Sequence, residues 1–129
     1  MKKDKKHLFG IGIDMERIER FKGLNRKKDS AFLKKIFTQK ELAYCLSRKE
    51  PAQHFAVRFS GKEACIKALG SLGIHNVVLR DIEIARHSPG TPSIVFRSNR
   101  LKKEKLEVSV SLSHAGPMAV ATVIAARTT

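Results

Sequence analysis

Apolar residues at Leu8, Phe9, Ile11 and Ile13 alternate with Gly10 and Gly12, and the run stops at Asp14. A short apolar run of this kind predicts a buried first strand that carries Asp14 at its C-terminal end. Residues 15–36 hold a helical but interrupted pattern, broken at Gly23 and Asn25. Thr38-Gln39-Lys40-Glu41 then matches a capping box, in which hydroxyl and carboxylate satisfy the free amides of a first helical turn. Leu42 and Leu46 follow at helical spacing, and Pro51 closes that unit. From Ala52 to Leu69 the spacing predicts one long helix, with an apolar stripe of Phe55, Phe59, Ile66 and Leu69 and with Gly70 placed to end it.

Beyond this helix, Val77 to Ala85 and Ser93 to Phe96 read as strands around the turn Ser88-Pro89-Gly90-Thr91-Pro92. Asn99 to Glu107 reads as a short, basic, solvated helix. Val108 to Ser113 and Met118 to Ala125 read as a final antiparallel pair joined through His114-Ala115-Gly116-Pro117. Strand, helices, two strands, helix, two strands is the order of an α+β fold. There is no internal repeat and no linker, and 129 residues suit one domain spanning residues 1–129.

Composition adds one strong feature. The apolar fraction of 42% is ordinary, but 26 Lys and Arg against 12 Asp and Glu leave a formal charge of +14. That field draws nucleic acid, anionic membrane, phosphorylated small molecules and acidic proteins alike, so charge alone selects no partner. The basic residues before Leu8 do not make a secretory signal, because the apolar stretch is too short and Asp14 ends it. No segment approaches the roughly 20 apolar residues of a membrane-spanning helix, so no membrane partner is expected. Cys45 and Cys65 lie outside any C-x-x-C spacing, which fits a reduced, cytoplasmic setting.

The long helix gathers Arg58, Lys62, Glu63 and Lys67. Residues four apart share a helix face, so Arg58 sits with Lys62 and Glu63 with Lys67. Lys62 projects between Phe59 and Ile66, where a charge is costly unless paired or used. A plain reading is a surface ion pair plus a lysine whose stem lies along apolar surface while its ammonium reaches water. The alternative brings in Asp14: two carboxylates for a hard cation, ringed by basic residues for phosphate, is the equipment of phosphoryl transfer. Asp14 alone would equally serve as a helix N-cap.

Competing motifs fail. Gly10-x-Gly12 lacks the third glycine of a dinucleotide fingerprint, since Met15 stands there. Ser60-Gly61-Lys62-Glu63 resembles the tail of a P-loop, yet Ala56 replaces its first glycine and Glu63 its magnesium-binding hydroxyl. The histidines show no zinc spacing. His114, at the predicted strand end, suits a phosphate or base contact as well as a capped strand. The basic stretch from Arg17 to Lys35 is either a solvated face or a docking surface for an acidic protein.

As a set, Gly10-Ile11-Gly12-Ile13-Asp14, Phe37-Thr38 with Glu41, Arg58-Phe59-Ser60-Gly61-Lys62-Glu63-Ala64 with Lys67-Ala68-Leu69-Gly70, Asp81-Ile82-Glu83-Ile84, Gly90-Thr91-Pro92 and Ser111-Leu112-Ser113-His114 resemble the holo-acyl-carrier-protein synthases. The motifs appear in that family's order and cover nearly the whole chain. The resemblance implies the 4'-phosphopantetheinyl transferase fold, a small antiparallel or mixed sheet packed against a long central helix. It implies transfer of 4'-phosphopantetheine from coenzyme A to a serine of apo-acyl carrier protein, in fatty acid biosynthesis, with release of adenosine 3',5'-bisphosphate.

By the same resemblance Asp14 and Glu63 ligate Mg2+, and Lys67 neutralises the phosphate under attack. Arg58, Lys62, Gly90, Pro92 and His114 belong to the coenzyme A pocket with Lys67, and Glu63 or a water of the metal takes the serine proton. Arg17, Arg20, Arg26, Lys27 and Lys28 are the implied contacts to the carrier, and the implied assembly is a homotrimer with active sites at subunit boundaries. Ala115 departs from a hydroxyl residue common in the family, and Ser60-Gly61 departs from two alanines. A basic nucleic-acid-binding protein is the main alternative, but no Trp and one Tyr leave few aromatics among the basic residues for stacking bases. A non-catalytic assembly subunit would give Asp14, Glu63 and Lys67 no shared reason to be charged.

Overall fold

The computed structural model describes residues 8–86 and 90–128. Its first strand, β1, spans Phe9–Arg17 and leads through a tight 3-10 turn at Ile18–Phe21 to helix α1 (Ser30–Ile36) and helix α2 (Gln39–Leu46). The long helix α3 spans Pro51–Ser71. Strands β2 (Ile82–Arg86) and β3 (Pro92–Phe96), a short helix α4 (Asn99–Lys102), and strands β4 (Leu106–Ala115) and β5 (Met118–Arg127) complete the order. Two antiparallel sheets result, one ordered β1-β5-β4 and one formed by β2 and β3. The expected α+β class with a long helix is the observed one.

β1 departs from expectation in two ways. It runs past Asp14, because Met15, Glu16 and Arg17 pair with Val120, Ala119 and Met118 of β5, so Asp14 lies inside the strand and not at its end. Its apolar side chains are also outward: Phe9, Ile11, Ile13 and Met15 are exposed while Gly10 and Gly12 are buried. The cause is the approach of α3. A Cβ built on Gly10 would stand 2.0 Å from the Ala68 carbonyl oxygen, and one on Gly12 would stand 1.8 Å from that of Ala64. Only glycine lets the two backbones come this close.

The capping box forms at Thr38 and Glu41 as expected. α3 starts on Pro51, which is preorganised for a first helical turn. Gly70 stays helical, and the chain instead turns at Gly73 (φ +81°), where the Ile74 N–H closes the end on the Leu69 carbonyl at 2.9 Å. Residues 15–36 are strand, 3-10 turn and one short helix. The strand predicted over Val77 to Ala85 is confined to Ile82–Arg86, and the helix predicted over Asn99 to Glu107 ends at Lys102. β4 continues through His114 to Ala115, opposite Met118. Ser88 and Pro89 of the predicted turn lie outside the described residues.

α3 ties the molecule together. Ala64, Cys65, Ala68 and Leu69 pack with Ala121, Val123 and Ala125 of β5, and Ile82 and Ile84 of β2 join them. Toward its other end Phe55 and Phe59 meet Phe21, Leu33, Ile36 and Phe37, with Phe37 and Phe55 ring centres 4.9 Å apart. The outer face of the three-stranded sheet has no such cover, and Ile124 lies opposite Ile11 in an exposed apolar stripe.

Candidate active site

Side chains alternate along β1, so Asp14 and Glu16 share the side of Gly10 and Gly12 and face α3. Asp14 Oδ1 is 3.5 Å from Lys67 Nζ, which also donates to the Ile13 carbonyl at 2.9 Å. Asp14 Oδ2 is buried and has no hydrogen-bond partner. Glu63, half-buried on α3, stands within the field of Asp14. Burial first and then the Asp14 charge hold its carboxyl above the usual range, against the lowering influence of Lys67 and Arg20. Residues 14 and 63, far apart in sequence, thus sit on two elements packed against each other, close enough for the Asp14 charge to act on Glu63. Lys67 pairs with Asp14, and not with Glu63 as an i, i+4 surface pair would.

Glu16 is a third acid at this place that sequence reasoning missed. Burial and then Asp14 raise its carboxyl, while an ion pair of 3.1 Å to Arg20 Nη1 opposes them. Its i, i+2 spacing from Asp14 was the available signal, hidden because residues beyond 14 read as helical.

Among the described residues no group of three or more His, Cys, Asp or Glu side chains is set to hold a metal ion. A hard divalent cation needs no such group. Mg2+ takes one or two carboxylates and completes its octahedron with water and substrate phosphate. The Asp14–Glu63 pair, with one buried carboxylate oxygen lacking a partner, fits that requirement.

Lys62 is a correction. Its ammonium neither reaches water nor faces an open cleft: it sits 2.6 Å from Glu41 Oε1 and donates to the carbonyls of Leu79 and Ile82. Burial pushes it below the ordinary lysine value, and Glu41 counteracts this. Glu41 Oε2 accepts from the Ile84 N–H at 2.9 Å, and Thr38 Oγ1 donates to Glu83 at 2.6 Å. This polar knot joins α2, α3 and β2. An apolar stripe at helical spacing could not reveal it, because the partners arrive from elsewhere in the chain.

Arg58 lines a cleft of about 820 Å³ with Lys40, Tyr44, Arg48, Arg86, Arg97 and Gly90. Two guanidinium groups lie against the Tyr44 ring, Arg58 at 4.0 Å and Arg48 at 4.2 Å from its centre, and its hydroxyl accepts from Arg86 at 2.7 Å. Burial alone would raise the phenol, yet the Arg86 hydrogen bond and the surrounding arginines hold it below its usual value. A second cavity of about 310 Å³ joins Arg58 and Arg86 to Pro92, His54 and His114, where Gln53 Nε2 and His114 Nε2 are 2.9 Å apart. No ion pair neutralises Arg48, Arg58, Arg86 or Arg97 among the described residues. Glu41 and Glu83 also line the larger cleft, but both are buried and engaged by Lys62 and Thr38, so the arginines stay unpaired and suit phosphate.

Arg17, Arg20, Arg26, Lys27 and Lys28 are all exposed. Arg20 is closest to the acids: its guanidinium stacks 4.9 Å from the Phe59 ring centre.

An α+β frame whose first strand and long helix carry two carboxylates and a lysine, and which also holds phosphate-suited clefts, defines a class of group-transfer enzyme. The chain belongs to the 4'-phosphopantetheinyl transferase superfamily, whose model matches residues 10–123. It is 38% identical over 92% of its length to a holo-[acyl-carrier-protein] synthase of Syntrophotalea carbinolica, covering 95% of that relative. It is 40% identical to that of Syntrophus aciditrophicus, with 89% of this chain and 93% of the relative covered. Among solved structures, holo-[acyl-carrier-protein] synthase from Neisseria meningitidis superposes with a TM-score of 0.78 at 31% identity, over 94% of this chain and all 100% of that one. The Helicobacter pylori synthase, solved with coenzyme A, gives 0.74 at 29% identity over 90% and 99% of the two chains. These relatives make the chain a phosphopantetheinyl transferase and give the nucleic-acid alternative no support.

Proposed function

We propose that this chain moves the 4'-phosphopantetheine arm of coenzyme A onto a serine of an apo-acyl carrier protein in fatty acid biosynthesis, with Mg2+ held by Asp14 and Glu63. The serine oxygen attacks the β-phosphorus in line, and the bond from that phosphorus to the bridging oxygen breaks. Adenosine 3',5'-bisphosphate leaves with that oxygen. A bound magnesium ion supplies charge neutralisation at the diphosphate. Lys67 offers its ammonium to the same phosphate oxygens, and Glu63 or a water beside it accepts the serine proton.

Arg58, Gly90, Pro92 and His114 hold the rest of coenzyme A in the basic clefts, with Tyr44, Arg48 and Arg86 completing the walls. Arg17, Arg20, Arg26, Lys27 and Lys28 steer the acidic carrier. The exposed stripe of Phe9, Ile11, Ile13, Met15 and Ile124 supports a homotrimer that covers it. Buried free cysteines, with both thiols pushed up to about 12 by burial, support a cytoplasmic setting. No helix of the described residues is long and apolar enough to cross a membrane.

The pairing of Asp14 with Lys67, with Glu63 under the charge of both, is the observation that supports this reading. Incubation with coenzyme A, Mg2+ and apo-carrier, followed by mass measurement of the carrier, tests it. One added phosphopantetheine, abolished by chelator, is the expected result, and an unchanged carrier mass sinks the reading.

A further inference from the structure

We infer that Glu16 is a positioning residue that holds the Arg20 guanidinium ready for the carrier protein at the rim of the Asp14–Glu63 pair, an inference that rests on the proposed transferase reading. Glu16 shares the α3-facing side of β1 with Asp14, and its side chain is only 16% exposed against 52% for Arg20. One carboxylate oxygen takes one Arg20 N–H at 3.1 Å, and the guanidinium plane rests near Phe59 and Phe21 at 4.9 and 5.9 Å. The turn bearing Arg20 is pinned in its own right, because the Ile18 N–H donates to the Pro117 carbonyl at 2.9 Å. Arg20 is therefore held on one side, while its half-exposed guanidinium makes no other hydrogen bond among the described residues.

The position matters because Arg20 is tied to Glu16, which stands two residues from Asp14 on the same face of β1. An acidic carrier side chain seated on Arg20 would arrive beside the carboxylate pair, where the carrier serine has to come. Two effects of Glu16 oppose each other. Its negative charge repels an acidic partner, whereas its hydrogen bond removes rotamer freedom that a loose arginine would lose on docking. Charge effects at an exposed rim are screened in physiological salt, so the ordering effect dominates.

Steady-state transfer, with carrier and coenzyme A varied separately, tests this on the wild type, Glu16→Ala, Glu16→Gln, Arg20→Ala and the double Glu16→Ala/Arg20→Ala variant. Glu16→Ala is expected to raise the carrier KM about threefold to fivefold, the scale of one partly exposed ion pair. The KM for coenzyme A and the Mg2+ concentration for half-maximal rate should move by less than about twofold. Glu16→Gln, which still accepts the hydrogen bond, should restore the carrier KM, and the double variant should be no worse than Arg20→Ala alone. A fall in carrier KM, a shift in the Mg2+ requirement, or additive losses would overturn the assignment. A wild type that transfers nothing sinks the transferase reading itself, whereas an active wild type matched by Glu16→Ala sinks only the role of Glu16.

Discussion

Lys62 Nζ lies 2.6 Å from Glu41 Oε1, with side-chain exposures of 0% and 1%. A buried pair of this kind adds little over a well-packed apolar pair, but removing one partner strands the other charge at a cost of about 3–5 kcal/mol. Lys62→Met is therefore expected to lose about that much unfolding free energy in urea. The double variant Lys62→Met/Glu41→Leu should recover part of it. A Lys62→Met protein of normal stability with a raised KM for coenzyme A would show that Lys62 serves the pocket after all.

Gly12 sits where a Cβ would press to 1.8 Å from the Ala64 carbonyl oxygen. Backbone cannot step aside as a flexible side chain does, so β1 would have to lift from α3. Gly12→Ala should cost about 3 kcal/mol, the upper end of ordinary overpacking. Because Asp14 rides on the same strand and Glu63 on the same helix, Mg2+-dependent activity should fall too. Gly70→Ala, with open space around its Cβ, is the control and should be neutral or mildly stabilising. Equal stability of the two variants would contradict the close strand–helix contact.

The legible part of this molecule was local. The capping box at Thr38, the long helix and the β4–β5 pair all follow from spacing within one segment, whereas Asp14, Glu63 and Lys67 were grouped by residue type and drew their separate roles from the resemblance. What stayed hidden depends on contacts distant in the chain. Lys62 looked like a phosphate ligand because Glu41 and the Leu79 and Ile82 carbonyls, its partners, come from other elements. Ile11 and Ile13 looked buried because an apolar run does not reveal that two glycines have claimed the inner face. Tyr44 and Arg86 carried no motif, and they meet only when β2 packs against α2.

His54 reports on the charge of the clefts. Burial first, then Arg58, Arg48, Arg86 and His114, hold its imidazole below the ordinary 6.5, and the Tyr44 ring stands edge-on 5.6 Å away. The unfolded chain takes up this proton near 6.5, while the folded protein resists until a lower pH. Within that window the unfolded state binds more protons. The stability involved is intact above 6.5 and is lost as pH falls through the window. His54→Gln should flatten this part of the stability profile. Coenzyme A phosphates in the clefts would offset the arginine charges, so an NMR titration of His54 should move upward when coenzyme A is added. An unchanged titration would place the phosphates elsewhere.

Asp14 and Glu63 should separate from the basic surface in kinetics. Groups that act on the reacting phosphate lower kcat, whereas groups that steer a partner act through KM and fade with salt. Asp14→Asn and Glu63→Gln keep size and remove the charge that a divalent cation needs, and each should cut kcat about 10²- to 10³-fold, the scale of losing one transition-state charge stabiliser. Charge reversal of Arg26, Lys27 and Lys28 together should leave kcat nearly unchanged. It should raise the carrier KM by about tenfold in low salt, and by much less as salt shortens the reach of the field. Metal binding measured by calorimetry, in the presence of coenzyme A, completes the separation: it should vanish in both carboxylate variants and persist in the charge-reversed one. If Glu63→Gln kept its metal and its turnover while the basic variant lost kcat, the acids at 14 and 63 would not be the metal site, and catalysis would have to be sought among the arginines around Tyr44.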